Sequence, residues 1–164
     1  MVGRPSGELL DPDFPGPFGQ EIVEIDARAR VLLSPRLLND VAWLAKGEAG
    51  IGLAVLERPG LVRILSFEQH GLNVLERRRR LIDRVNIDPA AAEALAVLED
   101  RYHRMRIPAD RRISLSSLLI AHLGVEPGAA IVYVERSLQE IQLLSTATRE
   151  RRLIAAQILL AELP

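Results

Sequence analysis

The sequence contains no cysteine, which excludes disulfides, thiolate nucleophiles and cysteine-ligated zinc sites from its 164 residues. It also lacks any apolar run near the ~20 residues that span a bilayer, and its first residues lead into no apolar signal core. We therefore expect a globular cytoplasmic protein without membrane contact. A hydrophobic content of 48% is enough for one ordinary core or for two small cores that support each other.

Lysine is nearly absent as well. Lys46 is the only one, so arginine supplies almost all of the positive charge. Arginine is suited to forked contacts with phosphates and base edges, although GC-rich coding explains the same bias equally well. The formal net charge of −1 argues against a uniformly basic nucleic-acid binder and leaves local basic patches open.

The most informative feature present is a short pattern that occurs twice. Residues 25–36 and 107–117 each hold a loop with an acidic residue and two arginines, followed by an apolar run typical of a β-strand. Arg30 and Arg112 occupy matched positions, so the repeat length is 82 residues (112 − 30). One duplicated unit then accounts for nearly all of the chain after residues 1–17, whose prolines and glycines predict a flexible arm.

Hydrophobic periodicity and turn residues predict a similar order of elements in both copies. In the first copy we expect strands at 18–25 and 30–33, a helix at 35–45 and a hairpin of 53–57 with 61–65. In the second copy we expect a strand at 112–115, a helix at 117–123 ended by Gly124, and a hairpin of 130–135 with 140–144. Three further helices are predicted at 67–86, from Pro89 through Met105, and at 146–163.

This duplicated pattern resembles the MraZ family of bacterial transcriptional regulators, which are built from two SpoVT-AbrB-like halves. The family loop reads Asp-x-Lys-Gly-Arg, and Asp26, Arg28 and Arg30 match its charged positions. In the second copy, residues 112–115 and 118–128 are similar to the family's strand, helix and glycine turn. The likeness covers about 18–156. It implies an α+β fold with two AbrB-like, swapped-hairpin-type β-barrel halves and helices between and after them; we divide the halves at 18–86 and 87–164.

Both copies depart from the family pattern at the loop. Ala29 and Arg111 stand where the family has glycine, and Pro108 stands where it has aspartate. Ser34, followed by Pro35, and Ser117 stand where it has proline. If the turn keeps a positive φ at the glycine position, Ala29 and Arg111 are strained there; otherwise the turn itself must differ.

The resemblance implies a non-enzymatic regulator that needs no cofactor, assembles into a homo-oligomeric ring and binds double-stranded promoter repeats at the nucleoid. A single loop offers few phosphate contacts, so useful affinity requires many loops presented together. The expected DNA contacts are Arg28, Arg30, Arg36, Arg111 and Arg112, with the mid-loop Arg28 and Arg111 preferred. Alternatively, Arg30 and Arg112 pair with Asp26 and Asp110 to stabilise the turns. The alternative function is an oligomeric scaffold of the same fold that has lost DNA binding.

Other residues that could bind a ligand or catalyse a reaction are better explained by structural roles. Four consecutive arginines, Arg77–Arg80, spread around a helix and favour a solvated surface or intersubunit salt bridges over nucleic-acid contact. The three histidines lie in separate predicted elements, so we expect no metal site. No serine lies in a nucleophile elbow, and we predict no catalytic residue. Trp43 is interpreted as a packing residue rather than a base-stacking platform.

Overall fold

A computed structural model of the chain describes residues 20–35, 41–44, 50–125, 129–135 and 139–164. Over these residues the fold is α+β, as expected from the sequence, with antiparallel sheets and four helices. None of the described helices is long and apolar enough to span a membrane. In chain order the elements are β1 Gln20–Glu24, β2 Arg30–Leu32, β3 Gly50–Val55, β4 Leu61–Ser66, α1 Phe67–Arg84, α2 Pro89–Arg101, β5 Tyr102–Ile107, β6 Arg112–Ser114, α3 Ser117–Leu123, β7 Ala129–Glu135, β8 Glu140–Leu144 and α4 Thr146–Glu162.

The described strands form one six-stranded sheet and one two-stranded ribbon. The sheet has the order β1-β7-β8-β4-β3-β5, and the ribbon pairs β2 with β6. Every pairing is antiparallel. Because β1 and β5 lie at opposite edges of the sheet, neither sheet closes into a barrel within the described part of the chain.

Strands of the two sequence copies are mixed within one sheet instead of forming separate sheets. Strand β1 of the first copy pairs with β7 of the second, and β3 of the first pairs with β5 of the second. The ribbon is centred on Val31 opposite Ile113, and the β4–β8 pair is centred on Arg63 opposite Gln142. Exchanging the two copies reproduces both registers, so the pairing has an approximate two-fold symmetry. The two copies therefore contribute to one shared core.

Matched apolar residues of the two copies meet in that core. Val31 and Ile113 are completely buried in the ribbon, and the next inward residues, Leu33 and Leu115, are buried as well. The period-two alternation of both strands sends these side chains to one face and leaves Arg30, Leu32, Arg112 and Ser114 on the other. The remaining core comes mainly from β3, β4, β8 and α3: Ala54, Leu56, Val62, Ile64, Leu119, Leu123, Ile141 and Leu143.

Most predicted elements are confirmed to within a few residues. Gly124 ends α3 in the left-handed conformation expected of it, with φ 66°. Residues 18–19, residues 36–40 and 45 of the predicted helix 35–45, and the turn residues 126–128 and 136–138 lie outside the described residues. Residues 41–44, which were predicted to belong to that helix, form a turn instead, in which the Leu44 N–H donates to the Val41 carbonyl at 3.2 Å.

The prediction that the second inter-copy helix continues through Met105 is wrong. Helix α2 ends at Arg101, and Tyr102–Ile107 forms β5, which pairs with β3 along its whole length. That pairing satisfies the backbone groups on the β3 side of β5, while Met105 and Ile107 pack in the core and Arg104 and Arg106 face solvent. In this segment, alternate side chains are buried when the strand pairs with β3, and this arrangement prevails over the helical spacing of the apolar residues. Strand β5 is the counterpart of β1, 82 positions along the chain (102 − 20).

Helices α1 and α4 also correspond to each other. Each follows a buried serine, Ser66 or Ser145, whose hydroxyl accepts a hydrogen bond from the first turn of the helix. Helix α1 packs against α2, whereas α4 is exposed at every residue from Arg151 onwards. The two copies thus carry equivalent helices: α1 packs against α2, and the second half of α4 is exposed to solvent.

Candidate nucleic-acid interface: the paired arginine loops

The two arginine loops, residues 26–29 and 108–111, lie at opposite ends of the β2–β6 ribbon. Each loop directly precedes its strand, and the strands are antiparallel. Arg30 is opposite Ser114 and Arg112 is opposite Leu32, so the two arginines are diagonal neighbours whose Cα atoms are roughly 7–8 Å apart. The fold therefore brings the two sequence motifs together on one outward face.

An aspartate organises the first loop. One Asp26 carboxylate oxygen accepts the backbone N–H groups of Arg28 at 2.8 Å and Arg30 at 2.9 Å. The other oxygen accepts the Arg30 Nε–H at 2.9 Å. The pKa of the Asp26 carboxyl is lowered from its ordinary value of 3.8, chiefly by the Arg30 backbone N–H; partial desolvation opposes this, and the Arg28 N–H and Arg30 guanidinium add to it. The structural role proposed for Arg30 is thus confirmed as an ion pair.

The second loop keeps the turn with a different anchor. The Arg111 N–H donates to the Pro108 carbonyl at 2.9 Å, as the Ala29 N–H donates to the Asp26 carbonyl at 2.9 Å. Proline has no carboxylate to accept backbone N–H groups. In this loop the Asp110 carboxylate accepts the Arg112 N–H instead, at 3.1 Å. No ion pair between Asp110 and Arg112 is found among the described residues.

Ala29 and Arg111 both adopt a positive φ. The angle is 56° at Ala29 and 66° at Arg111, so both residues carry the strain of a left-handed backbone. Each is held by the other copy: the Leu115 N–H donates to the Ala29 carbonyl at 2.8 Å, and the Leu33 N–H donates to the Arg111 carbonyl at 2.9 Å. These reciprocal hydrogen bonds couple the shape of each loop to the opposite strand.

The predicted contact arginines differ in how available they are. Arg28 and Arg112 are exposed and form no ion pair with any other described residue, whereas Arg30 is partly buried and paired with Asp26. Arg111 is also partly buried, and its Nη1 is a buried nitrogen without a hydrogen-bond partner in the described part of the chain. Arg36 lies outside the described residues. The loops therefore present two fully available guanidinium groups and one partly enclosed group.

Two residues on the outward face of the ribbon were not among the sequence candidates. Leu32 is 47% exposed opposite Arg112, and Ser114 is exposed opposite Arg30. The alternation around Val31 and Ile113 is the sequence signal that identifies them, because it places their neighbours on the outer face. Leu32 offers an apolar contact and Ser114 a hydroxyl beside the arginines.

The Arg77–Arg80 run lies on α1, away from the ribbon, and much of it makes contacts within the chain. Arg78 pairs with Glu99 of α2 at 3.4 Å, and Arg80 pairs with Glu76 at 2.8 Å. The Arg77 guanidinium lies over the Tyr102 ring, 5.4 Å from its centroid. The Arg78 and Arg77 contacts connect α1 to α2 and β5, and the Arg80 pair lies within α1.

His103, His122 and Trp43 have structural partners; His103 Nε2 lies 2.7 Å from the Asp100 carbonyl. His122 Nε2 lies 2.7 Å from the Arg58 carbonyl and 3.1 Å from the Leu61 carbonyl, which fastens α3 to the β3–β4 turn. Trp43 packs against the core, and its Nε1–H donates to the Gln139 carbonyl. Among the described residues no three of His, Asp and Glu come close enough to hold a metal ion. These contacts give no reason to place a site away from the loops.

Comparison with known proteins leaves the loops to be interpreted from their own geometry. No protein-family model matches the chain, and none of the curated proteins matches it either. The relevant observations are therefore the reciprocal hydrogen bonds, the two left-handed residues and the exposure of the arginines. Together they define a paired, positively charged and conformationally fixed surface.

Proposed function

We propose that this chain is a DNA-binding transcriptional regulator of the MraZ type, in which arginine loops on several AbrB-like subunits bind promoter repeats at the nucleoid. One observation carries the proposal: the two loops have the same strained backbone although their side chains differ. Strain of this kind persists only where the surrounding structure enforces it, and it is concentrated at ligand-binding segments.

The charges fit a phosphate partner. Each copy carries two arginines and one aspartate at the loop, an excess of one positive charge in a protein of net charge −1. Asp26 neutralises Arg30, so the first loop offers Arg28, and the second offers Arg112 and part of Arg111. Backbone hydrogen bonds fix both loops in advance, which reduces the entropy lost on binding.

A single subunit can neutralise only a few phosphates, so the proposal includes assembly into a homo-oligomer, with a ring as the simplest closed form. Linking several weak sites raises the overall affinity without any new contact, provided that the DNA sites repeat at the spacing of the subunits. The diagonal arrangement of Arg30 and Arg112 gives each subunit two matched loops. Repeated DNA sites are the target that such an array fits.

The test is a mobility shift at low salt with repeat-containing promoter DNA. Replacing Arg28 and Arg111 together by alanine should abolish the shift, whereas Arg112→Ala alone should weaken it. Each lost phosphate contact should also reduce the dependence of log K on log salt by about 1. The matched control is Arg79→Ala, which removes an equally exposed arginine from α1.

Unchanged binding of the Arg28/Arg111 double variant with an intact oligomer would show that the loops are not the DNA contact. An absence of DNA binding by the unmodified protein at low salt would favour the second candidate, an oligomeric scaffold of the same fold. The observation favouring the scaffold is the Asp26–Arg30 ion pair, which takes one of the motif arginines out of use. Light-scattering mass measured on the same samples separates loss of DNA binding from loss of assembly.

A further inference from the structure

Helix α4 carries an apolar surface that nothing in the described chain covers. All residues from Arg151 to the end are exposed, including six large apolar side chains. Their exposed fractions run from 43% at Leu153 to 70% at Leu160, with Ile154, Ile158, Leu159 and Leu163 in between. An exposed apolar patch of this extent on a stable helix is typical of an interaction site.

A second uncovered surface is the groove between α1 and α2. It has a volume of about 410 Å³ and an apolar floor that includes Leu81, Ala94 and Val97, with Val97 52% exposed. Four guanidinium groups surround it: Arg77, Arg80, Arg84 and Arg101. No carboxylate belongs to its lining, and Arg84 and Arg101 form no ion pair with other described residues. The groove is therefore apolar at its base and positively charged at its rim.

The far half of α4 is complementary to this groove in both respects. From residue 153 to the end of the chain its only charged side chain is Glu162, and the last helical turn has no basic residue. The free carbonyls at a helix C-terminus carry partial negative charge and are stabilised by nearby cations. An apolar helix with a negative end fits an apolar groove with an arginine rim.

We propose that α4 of one subunit docks in the α1–α2 groove of a second copy of this chain, head to tail. Since α4 is exposed in its own chain, it does not fill its own groove, and pairing two α4 helices would leave both grooves uncovered. Head-to-tail docking uses two different surfaces per subunit, so it propagates and closes into a ring when the rotation permits. The inference deepens the proposed function and rests on its oligomeric assembly, because it names the interface that builds the array of loops.

The test combines two variants in which one surface each is damaged. Ile158→Asp places a charge in the apolar second half of α4, and Val97→Asp places one in the groove; both positions are more than half exposed, so folding should survive and circular dichroism checks this. Each variant alone should fall to the monomer mass of 18.2 kDa in light scattering. Mixed one to one, the two variants should form a dimer and no larger assembly. Only the intact α4 of the Val97→Asp variant can dock in the intact groove of the Ile158→Asp variant. Leu72→Asp, on an α1 residue outside the groove, is the matched control and should keep the full oligomer.

Three results would overturn the docking proposal. They are a monomeric unmodified protein, a Val97→Asp variant that assembles normally, and a mixture that stays monomeric. Normal assembly of Val97→Asp together with a monomeric Ile158→Asp would show that α4 pairs with α4. The DNA-binding proposal is tested independently of assembly, because the Arg28→Ala/Arg111→Ala double variant should keep the oligomer mass of the unmodified protein. An oligomer that assembles through the groove but binds no DNA would contradict the proposed function alone.

Discussion

The two arginine loops have the same backbone, but different side chains hold them in place. In the first loop one carboxylate, Asp26, accepts two backbone N–H groups and one guanidinium. In the second loop Pro108 occupies that position, and Asp110 accepts a single N–H. The geometry nonetheless agrees, because each loop is also held by the opposite strand through the Ala29 and Arg111 carbonyls. The comparison shows that tertiary contacts can preserve a turn after its local anchor has changed.

The same divergence occurs at other matched positions. Gly60 and Gln139, which occupy equivalent places in the β3–β4 and β7–β8 turns, both have positive φ, at 81° and 53°. At the centre of the β4–β8 pair the first copy has Arg63 and the second has Gln142. Backbone conformation is therefore more similar between the copies than residue type is. Substitutions at these positions measure how far one copy depends on a side chain that the other lacks.

The largest effect is expected at Arg63. Its guanidinium donates to the completely buried Glu140 at 2.7 and 3.0 Å, and this interaction raises the pKa of Arg63. Arg63→Met leaves a buried carboxylate without its cation and should lower the free energy of unfolding by roughly 3–5 kcal/mol in urea titrations. The matched change in the other copy, Gln142→Met, removes a 3.3 Å hydrogen bond to Glu140 and the 2.9 Å hydrogen bond that Gln142 Oε1 accepts from Arg152, without leaving a buried charge unpaired; it should cost about 1–2 kcal/mol.

A rescue variant makes the Arg63 prediction specific. Replacing Glu140 by methionine in the Arg63→Met background removes the uncompensated charge, and most of the lost stability should return. If the double variant is as unstable as Arg63→Met alone, packing rather than the ion pair is the source of the loss. Equal effects of Arg63→Met and Gln142→Met would contradict the asymmetry between the copies.

An intermediate effect, of opposite sign, is expected from relieving the left-handed residues. Ala29→Gly removes the Cβ that disfavours a φ of 56° and should raise the free energy of unfolding by up to about 1 kcal/mol. At the second loop the clean comparison is Arg111→Gly against Arg111→Ala, since both lose the guanidinium and only the glycine relieves the backbone. Ala27→Gly is the control at a residue without positive φ, and it should destabilise slightly. Stabilisation by Ala27→Gly equal to that of Ala29→Gly would show that strain is not the cause.

The smallest effect is the pH dependence contributed by Asp26. Its pKa is lower in the folded chain than the ordinary 3.8, so the folded state favours the carboxylate. The resulting stabilisation is fully present above about pH 4 and is lost as the pH falls from there through the folded pKa. Asp26→Asn should therefore be less stable than the unmodified protein at pH 5, and the difference should shrink below pH 4 in denaturant titrations. A difference that is constant from pH 5 to pH 2.5 would mean that Asp26 stabilises the loop without its charge.

Local sequence signals predicted much of the fold because they have local causes. Proline at the start of a helix, as at Pro89, and glycine after one, as at Gly124, act within a turn or two of the chain. The arginine loops were found because their charge pattern recurs 82 positions apart. Helical spacing alone predicts a helix at Tyr102–Ile107, which is wrong. The repeat aligns this segment with β1 and is the signal that identifies it as a strand.

The sequence by itself determined the duplicated arrangement of elements, the α+β class and the positions of the two arginine loops. Only the tertiary structure decided that strands of both copies join in one sheet, that Arg30 is paired while Arg28 and Arg112 are exposed, and that Ala29 and Arg111 have a positive φ. The physical reason is the range of the interactions. Periodicity and capping depend on neighbouring residues, whereas strand exchange, burial and the bonds that hold a strained turn depend on groups about 80 residues away, such as Leu115 on Ala29 and Arg111 on Leu33.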